Sequence, residues 1–166
     1  MSDPLALDEL LAYADHDPET PLLIVDFCDP TMPRGEFRTA TRTAAPELAT
    51  VELALASASL RVVPLEKTDR NPYEAFVFVG RASTCDVILR DASVSKSHAV
   101  FEREASGWIL RDNRSHNGTF VGDRRLALGE RAPIASRTAV RFGTYPVYFM
   151  MPVDLRRILE AMSAPQ

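Results

Sequence analysis

Polar side chains surround a short apolar stretch near the middle of the chain, residues 86–90. Arg81 follows a glycine at the end of one apolar run, Ser95 and Lys96 come just before the next run, and Asn117 lies in a third polar segment. Arginine is a rigid two-pronged donor, serine and lysine add further donors, and an asparagine amide both donates and accepts. If these segments meet at one end of the fold, they predict a site for a dianionic phosphate on a peptide.

Residue types used in catalysis are present, but their arrangement does not suit a reaction. Cys85 and Asp86 are adjacent, so along a strand their side chains point to opposite faces and cannot both serve His98. The sequence around them lacks a nucleophile elbow or an oxyanion-hole motif, and no pair among His16, His98 and His116 has metal-ligand spacing. No glycine-rich phosphate loop opens a helix. We therefore expect no enzyme activity, no metal and no cofactor.

Composition indicates an ordinary soluble globular protein. Hydrophobic residues make up 46% and charged residues 25% of the 166 positions. No apolar run approaches the roughly 18 residues of a membrane helix, the first ten residues are acidic rather than typical of a signal peptide, and two cysteines form no disulfide framework. These features predict a cytoplasmic protein, and 17 arginines against two lysines favour a GC-rich bacterial source.

Charge is unevenly distributed along the chain. Residues 1–60 hold 11 acidic residues against three arginines, whereas residues 61–166 hold 12 acidic residues against 16 basic ones. An acidic, solvated extension beside a near-neutral domain explains this asymmetry. The alternative is that the second part presents a local basic site for an anionic group.

From about residue 60, short strand-like runs alternate with turn signals at the spacing typical of an antiparallel β-sandwich. Asn117-Gly118 is the strongest two-residue turn signal. The predicted strands are the runs LRVVPLEK, AFVFVG, DVILR, HAVFERE, GWILRD, TFVGD, AVRF and VYFM.

Helical spacing occurs at both ends of the chain. A helix is predicted after Asp3, followed by a strand at LLIVDF, and residues 46–60 suit either a helix or a strand. A short helix is predicted in PVDLRRILEAM near the end. The predicted organisation is an acidic N-terminal α/β extension (1–59), a mainly β domain (60–150) and a C-terminal helical tail (151–166).

The polar segments, taken together and in register, resemble the signature of the forkhead-associated (FHA) domain, a phosphothreonine-peptide-binding β-sandwich of the FHA/SMAD-like type. The resemblance covers about residues 60–150 and leaves residues 1–59 outside. Its motifs are Gly80-Arg81, then Ser95 and His98 separated by two residues, then Asn117-Gly118-Thr119.

The resemblance implies roles for individual residues. Arg81 and Ser95 would bind the phosphate, Lys96 would support the phosphate or a neighbouring peptide carbonyl, and Asn117 would hydrogen-bond the peptide backbone. His116 departs from the pattern because many members carry a hydroxyl residue there. Its imidazole can still donate a hydrogen bond, so we expect it to contact the phosphopeptide with a dependence on pH.

The remaining motif residues are expected to support the site structurally, His98 by bracing the binding loops with a hydrogen bond. These residues are Gly80, His98, Gly118 and Thr119.

The function implied is non-catalytic recognition of a phosphothreonine-containing protein, a Ser/Thr kinase or its substrate, in kinase signalling. We expect no nucleic acid and no membrane insertion. The alternative is an FHA-like scaffold that binds an unphosphorylated partner or self-associates and whose phosphate pocket is vestigial.

Overall fold

The computed structural model describes residues 7–25 and 61–164, which form eleven strands and two helices. The helices are α1 (Leu7–His16) and α2 (Pro152–Ser163). The strands are β1 (Leu22–Val25), β2 (Arg61–Pro64), β3 (Phe76–Gly80), β4 (Val87–Ile88), β5 (Ala99–Glu104), β6 (Gly107–Asp112), β7 (Thr119–Val121), β8 (Arg124–Arg125), β9 (Ala132–Ile134), β10 (Thr138–Phe142) and β11 (Tyr145–Met150).

The strands form two sheets packed face to face, which confirms the predicted sandwich. The six-stranded sheet has the order β2-β1-β11-β10-β7-β8, and the five-stranded sheet has the order β4-β3-β5-β6-β9. All the strand pairs within the described residues are antiparallel except that of β3 with β4, which is parallel. Strand β4 has only two residues and pairs with the last two residues of β3. The loop of residues 81–86 therefore has only a short distance to return before β4 runs parallel to β3.

Two short strands escaped the sequence analysis. Strand β8 consists of two exposed arginines, so it has no apolar alternation to reveal it, and β9 carries Pro133 at its centre. Both are recognised only through pairing, β8 with β7 and β9 with β6. All the strands that the sequence predicts from residue 60 onward are present, with ends shifted by a few residues.

The main core lies between the sheets and is built from the inward-facing side of each strand. Phe101 stacks on Phe149, with ring centroids 5.9 Å apart, and meets Phe142 edge-on. Val77 and Val79 alternate inward on β3, as expected for a half-buried strand. This interior fixes the positions of the strand ends and therefore of the loops that leave them.

A second apolar cluster covers the outer face of the six-stranded sheet. Leu155 and Leu159 of α2 pack there against Ile24 and Met150. Strand β1 lies between β2 and β11, so the described part of the predicted extension is built into this sheet. Helix α1 contacts α2, while the predicted element at 46–60 lies outside the described residues. Neither described helix is long and apolar enough to span a bilayer.

A buried carboxylate anchors the segment before β3 to the end of the β3–β4 loop. Asp86 accepts hydrogen bonds from Lys67 Nζ (2.8 Å), from the Thr68 amide (2.9 Å) and hydroxyl (2.6 Å), and from the Phe78 amide (2.8 Å). Burial opposes ionisation of Asp86, but these bonds outweigh it and hold the pKa of its carboxyl well below the usual range. The ionised group thus fixes the base of the loop that carries Arg81.

We expect Asp86→Ala to lower the free energy of unfolding by about 3 kcal/mol, because it leaves several buried donors unpaired. Because the pKa of Asp86 is depressed in the folded state, its contribution is complete above the unfolded value of about 4 and disappears as the pH falls toward the folded value. The free energy of unfolding, measured with urea, should therefore fall more steeply below about pH 4 in the wild type than in the variant. Asp69→Ala removes an exposed carboxylate from the same segment and serves as the control. An equal loss in both variants would contradict the anchoring role.

Candidate functional site

The β3–β4 loop and the β4–β5 loop are joined by main-chain hydrogen bonds at one end of the sandwich. The amide of Arg81 donates to the Ser95 carbonyl, and the amide of Ala82 donates to the Lys96 carbonyl, both at 3.0 Å. Arg81 Nε also donates to the Val94 carbonyl at 3.1 Å. None of the described residues accepts a hydrogen bond from its two Nη groups, so the exposed end of the guanidinium is available to a ligand.

Close approach of these loops requires a glycine at position 80. A Cβ there would lie 2.4 Å from the Lys96 carbonyl oxygen, far inside any real contact. The Gly80 carbonyl in turn accepts the Leu89 amide at 2.9 Å. The Gly-Arg pair therefore presses the end of β3 against the loop that carries Ser95.

Hydrogen bonds of Ser95 and Asn117 hold the β6–β7 loop at the end of the sandwich where the β3–β4 and β4–β5 loops meet. Ser95 Oγ accepts the His116 amide at 2.9 Å, and Asn117 Nδ2 donates to the Ser93 carbonyl at 2.9 Å. The Ser95 hydroxyl hydrogen and Asn117 Oδ1 have no partner within the two described stretches. One face of each side chain therefore holds the loops together while the other is open to a ligand.

His98 lies beneath these loops and is completely buried. Its Nδ1 accepts the Ser95 amide at 2.9 Å, so the opposite nitrogen, Nε2, carries the proton and donates to the Gly118 carbonyl at 2.9 Å. Burial lowers the pKa of His98, and it does so despite the Gly118 bond and the charge of Asp112, which favour protonation. A neutral imidazole with a defined tautomer thus links the loop of Ser95 to that of Asn117.

The β6–β7 loop is shaped by Asp112, which sequence analysis missed. Asp112 accepts hydrogen bonds from the Ser115 amide (3.0 Å), the Ser115 hydroxyl (2.5 Å) and the Thr119 hydroxyl (2.7 Å), and Ser115 Oγ accepts the Gly118 amide (2.9 Å). Burial opposes ionisation, but the bonds from Ser115 and Thr119 prevail and lower the pKa of Asp112. An aspartate three residues before a serine is a local turn signal that could have indicated this.

A fourth loop, the β10–β11 turn, was also not foreseen. Thr144 donates its amide to Ser93 Oγ at 3.1 Å, and a Cβ at Gly143 would lie 2.4 Å from the Ser93 carbonyl oxygen. Ser93 Oγ donates to Asp91 Oδ1 at 2.6 Å. Nothing in the sequence relates residues 93 and 143, which are distant along the chain, so only the sheet topology reveals this contact.

The five predicted ligand contacts therefore lie on loops at one end of the sandwich. Arg81, Lys96, His116 and Asn117 are exposed and Ser95 is half-buried. Lys96 uses its carbonyl to join the loops, and its ammonium has no described partner. No group of three potential metal ligands occurs among the residues that the structure describes. The arrangement can bind an anion through arginine, serine and lysine donors beside an amide suited to a peptide backbone.

The part of the chain that carries these loops is similar in sequence to known proteins. Residues 77–143 match the family model of the FHA domain. The chain is 34% identical over 67 residues to FhaB of Mycobacterium tuberculosis, an FHA domain-containing protein, covering 40% of this chain and 42% of FhaB. It is 40% identical over 50 residues to the M. tuberculosis ABC transporter ATP-binding/permease protein Rv1747, covering 30% of this chain and 6% of the transporter. The chain thus spans less than half the length of either relative.

A solved structure from a study of phosphothreonine-dependent FHA domain interactions has a TM-score of 0.50 with this chain. The match covers 80% of this chain and 96% of that one, at 17% sequence identity. At this identity the likeness concerns the fold, and it extends beyond residues 77–143.

We expect His98→Gln to destabilise the protein by about 1–3 kcal/mol, since glutamine cannot reproduce both hydrogen bonds of the imidazole. Because the folded pKa of His98 lies below the unfolded value of about 6.5, its stabilising contribution is complete above that value and decreases as the pH falls below it. Chemical unfolding between pH 8 and 5 should show this decrease in the wild type and in the exposed control His116→Gln. A similar decrease in His98→Gln would refute the assignment to His98.

Proposed function

Since the chain belongs to the FHA domain family through residues 77–143, we propose that it binds phosphothreonine-containing proteins without catalysing a reaction. The observation that carries this proposal is the convergence of Arg81, Ser95 and Asn117, each with hydrogen-bonding capacity facing outward. The phosphate would accept from Arg81 Nη and from the Ser95 hydroxyl. Lys96, directly after Ser95, adds a second positive charge.

Asn117 is suited to the peptide rather than to the phosphate. Its Nδ2 is held by the Ser93 carbonyl, which orients Oδ1 to accept a peptide amide. A peptide held in this way along the loops would keep its phosphorylated side chain directed at Arg81. Because hydrogen bonds join the loops to one another, little ordering cost opposes binding.

The phosphate should provide most of the discrimination between phosphorylated and unphosphorylated partners. A charge-assisted hydrogen bond contributes roughly 1.5–3 kcal/mol, and an unphosphorylated threonine would forgo those from Arg81 and Ser95. The partner is a phosphothreonine protein in a Ser/Thr kinase pathway, either the kinase or a substrate of it. We place this recognition in the cytoplasm, where the buried free thiol of Cys85 would stay reduced.

Binding of a degenerate phosphothreonine peptide library tests this proposal against the same library without phosphate. By isothermal titration calorimetry we expect binding of the phosphorylated library only, with Arg81→Ala and Ser95→Ala each reducing affinity at least about tenfold. Arg157→Ala removes the same charge from the exposed side of α2 and should leave affinity unchanged. Equal binding of both libraries would replace this function with a phosphate-independent scaffold.

His116 offers a separate test because its side chain is exposed beside Ser95. An imidazole N–H at this position can donate a hydrogen bond to the phosphopeptide, and His116→Ala removes that donor. By isothermal titration calorimetry we expect His116→Ala to weaken binding of the phosphorylated library about twofold to tenfold. An unchanged affinity would mean that the imidazole does not contact the phosphopeptide.

A further inference from the structure

A groove of about 630 Å³ opens beside the β6–β7 loop, and Ser95 is not among the residues that line it. Ser115 and Gly118 form one wall, and they belong to the same loop as Asn117. Arg114, Arg125 and residues 126–128 form the remainder. The groove and the proposed peptide site thus share a loop, and a peptide held by Asn117 is expected to pass the mouth of the groove.

Arg125 is held in place at the base of this loop. It pairs with Phe120 across β7 and β8, and its guanidinium carbon lies 5.9 Å from the centre of the Phe120 ring. A Cβ at Gly118 would come within 2.6 Å of Arg125 Nε, so the guanidinium lies directly against the glycine. The guanidinium of Arg125, although exposed, therefore lies against the base of this loop and lines the groove.

Arg114 is placed at the groove by an uncommon backbone conformation. Its φ is 58°, in the left-handed region that residues other than glycine, asparagine and aspartate rarely occupy. Such a strained conformation often occurs where a side chain serves a function. Here it follows from the tight turn that Asp112 and Ser115 impose on the loop.

Neither groove arginine has a carboxylate partner among the described residues, whereas several other arginines do. Arg124, adjacent in sequence to Arg125, is paired with Glu130 at 2.6 Å. Other arginines with an acidic partner are Arg103, Arg131, Arg137, Arg156 and Arg157. Arg114 and Arg125 thus present uncompensated positive charge at the groove.

The carboxylate that lines the groove does not neutralise both arginines. Asp112 is occupied by the Ser115 and Thr119 hydrogen bonds, which hold it in the wall of the loop. Two guanidinium groups against one carboxylate leave the groove with net positive charge. Leu128, which is 79% exposed, adds an apolar surface beside these charges.

We propose that this groove is a second anion subsite, which binds a carboxylate or a second phosphate carried by the same phosphothreonine peptide. Arg114 and Arg125 contact the anionic group, and Leu128 packs against an apolar neighbour of it. This inference rests on the proposed phosphothreonine binding and adds a preference for a class of partner: acidic or multiply phosphorylated segments.

The test uses the full chain and phosphothreonine peptides whose flanking residues are alanine. Glutamate or phosphoserine is then placed singly at each position from three before to three after the phosphothreonine, and affinity is measured by fluorescence anisotropy. At one or more positions we expect the anionic residue to tighten binding about twofold to fivefold, as for an exposed charge pair. Arg114→Asn, which suits a left-handed backbone, and Arg125→Gln should abolish this gain and leave binding of the all-alanine peptide nearly unchanged.

Arg124→Gln is the matched control, because it removes the neighbouring charge whose partner is Glu130, and it should keep the full gain. Thermal unfolding of each variant separates loss of the subsite from loss of the fold. A gain for phosphoserine without one for glutamate identifies the second phosphate as the ligand, whereas a gain for both identifies an acidic group in general. No gain at any position, or a gain that survives in both groove variants, overturns the subsite. Failure of even the all-alanine phosphothreonine peptide to bind overturns the proposed function and this inference with it.

Discussion

The two hydrogen bonds of His98 are the constraint on which the organisation of the loops depends. One ring nitrogen accepts the Ser95 amide and the other donates to the Gly118 carbonyl, so a single buried side chain sets the separation between the β4–β5 loop and the β6–β7 loop. The edge-on contact of its ring with Phe142, at 5.4 Å, ties that separation to the core. The geometry of the proposed peptide site thus depends on a buried side chain beneath it.

Near His98, the carboxylates and the cationic side chains of the loops differ in burial. Asp86 is buried and Asp112 is half-buried, and both carboxylates are held by hydrogen bonds, those of Asp86 including one from the Lys67 ammonium. Arg81 and Lys96 are exposed on the loops. Carboxylates satisfied in this way shape the loops without cancelling the positive charge above them. The molecule can therefore be acidic in total, with a net charge of −4, and still present donors to an anion.

The sandwich was predictable from sequence because each half-buried strand shows its alternation, as β3 does with Val77 and Val79. The loop motifs were predictable because glycine, serine and asparagine stand at characteristic spacing. What was missed is non-local: the insertion of β1 between β2 and β11, the parallel pairing of β4, and the contact of Ser93 with Gly143. Strand β8 was missed because its two arginines are identified as a strand by their partner alone. Asp112 looked like an ordinary charged residue, since its role is to accept hydrogen bonds within its own loop.

The contacts at Gly80 and Gly143 divide the loop positions into two groups. At these glycines the backbone lies against a carbonyl oxygen with no room for a methyl group, so main-chain atoms limit the distance between the loops at these two points. Exposed side chains on the same loops, those of Lys96, Arg114 and His116, take no part in that spacing. The domain is consequently suited to retargeting in the laboratory: libraries that vary the exposed positions and keep the glycines would alter the recognised sequence while preserving the scaffold that presents it.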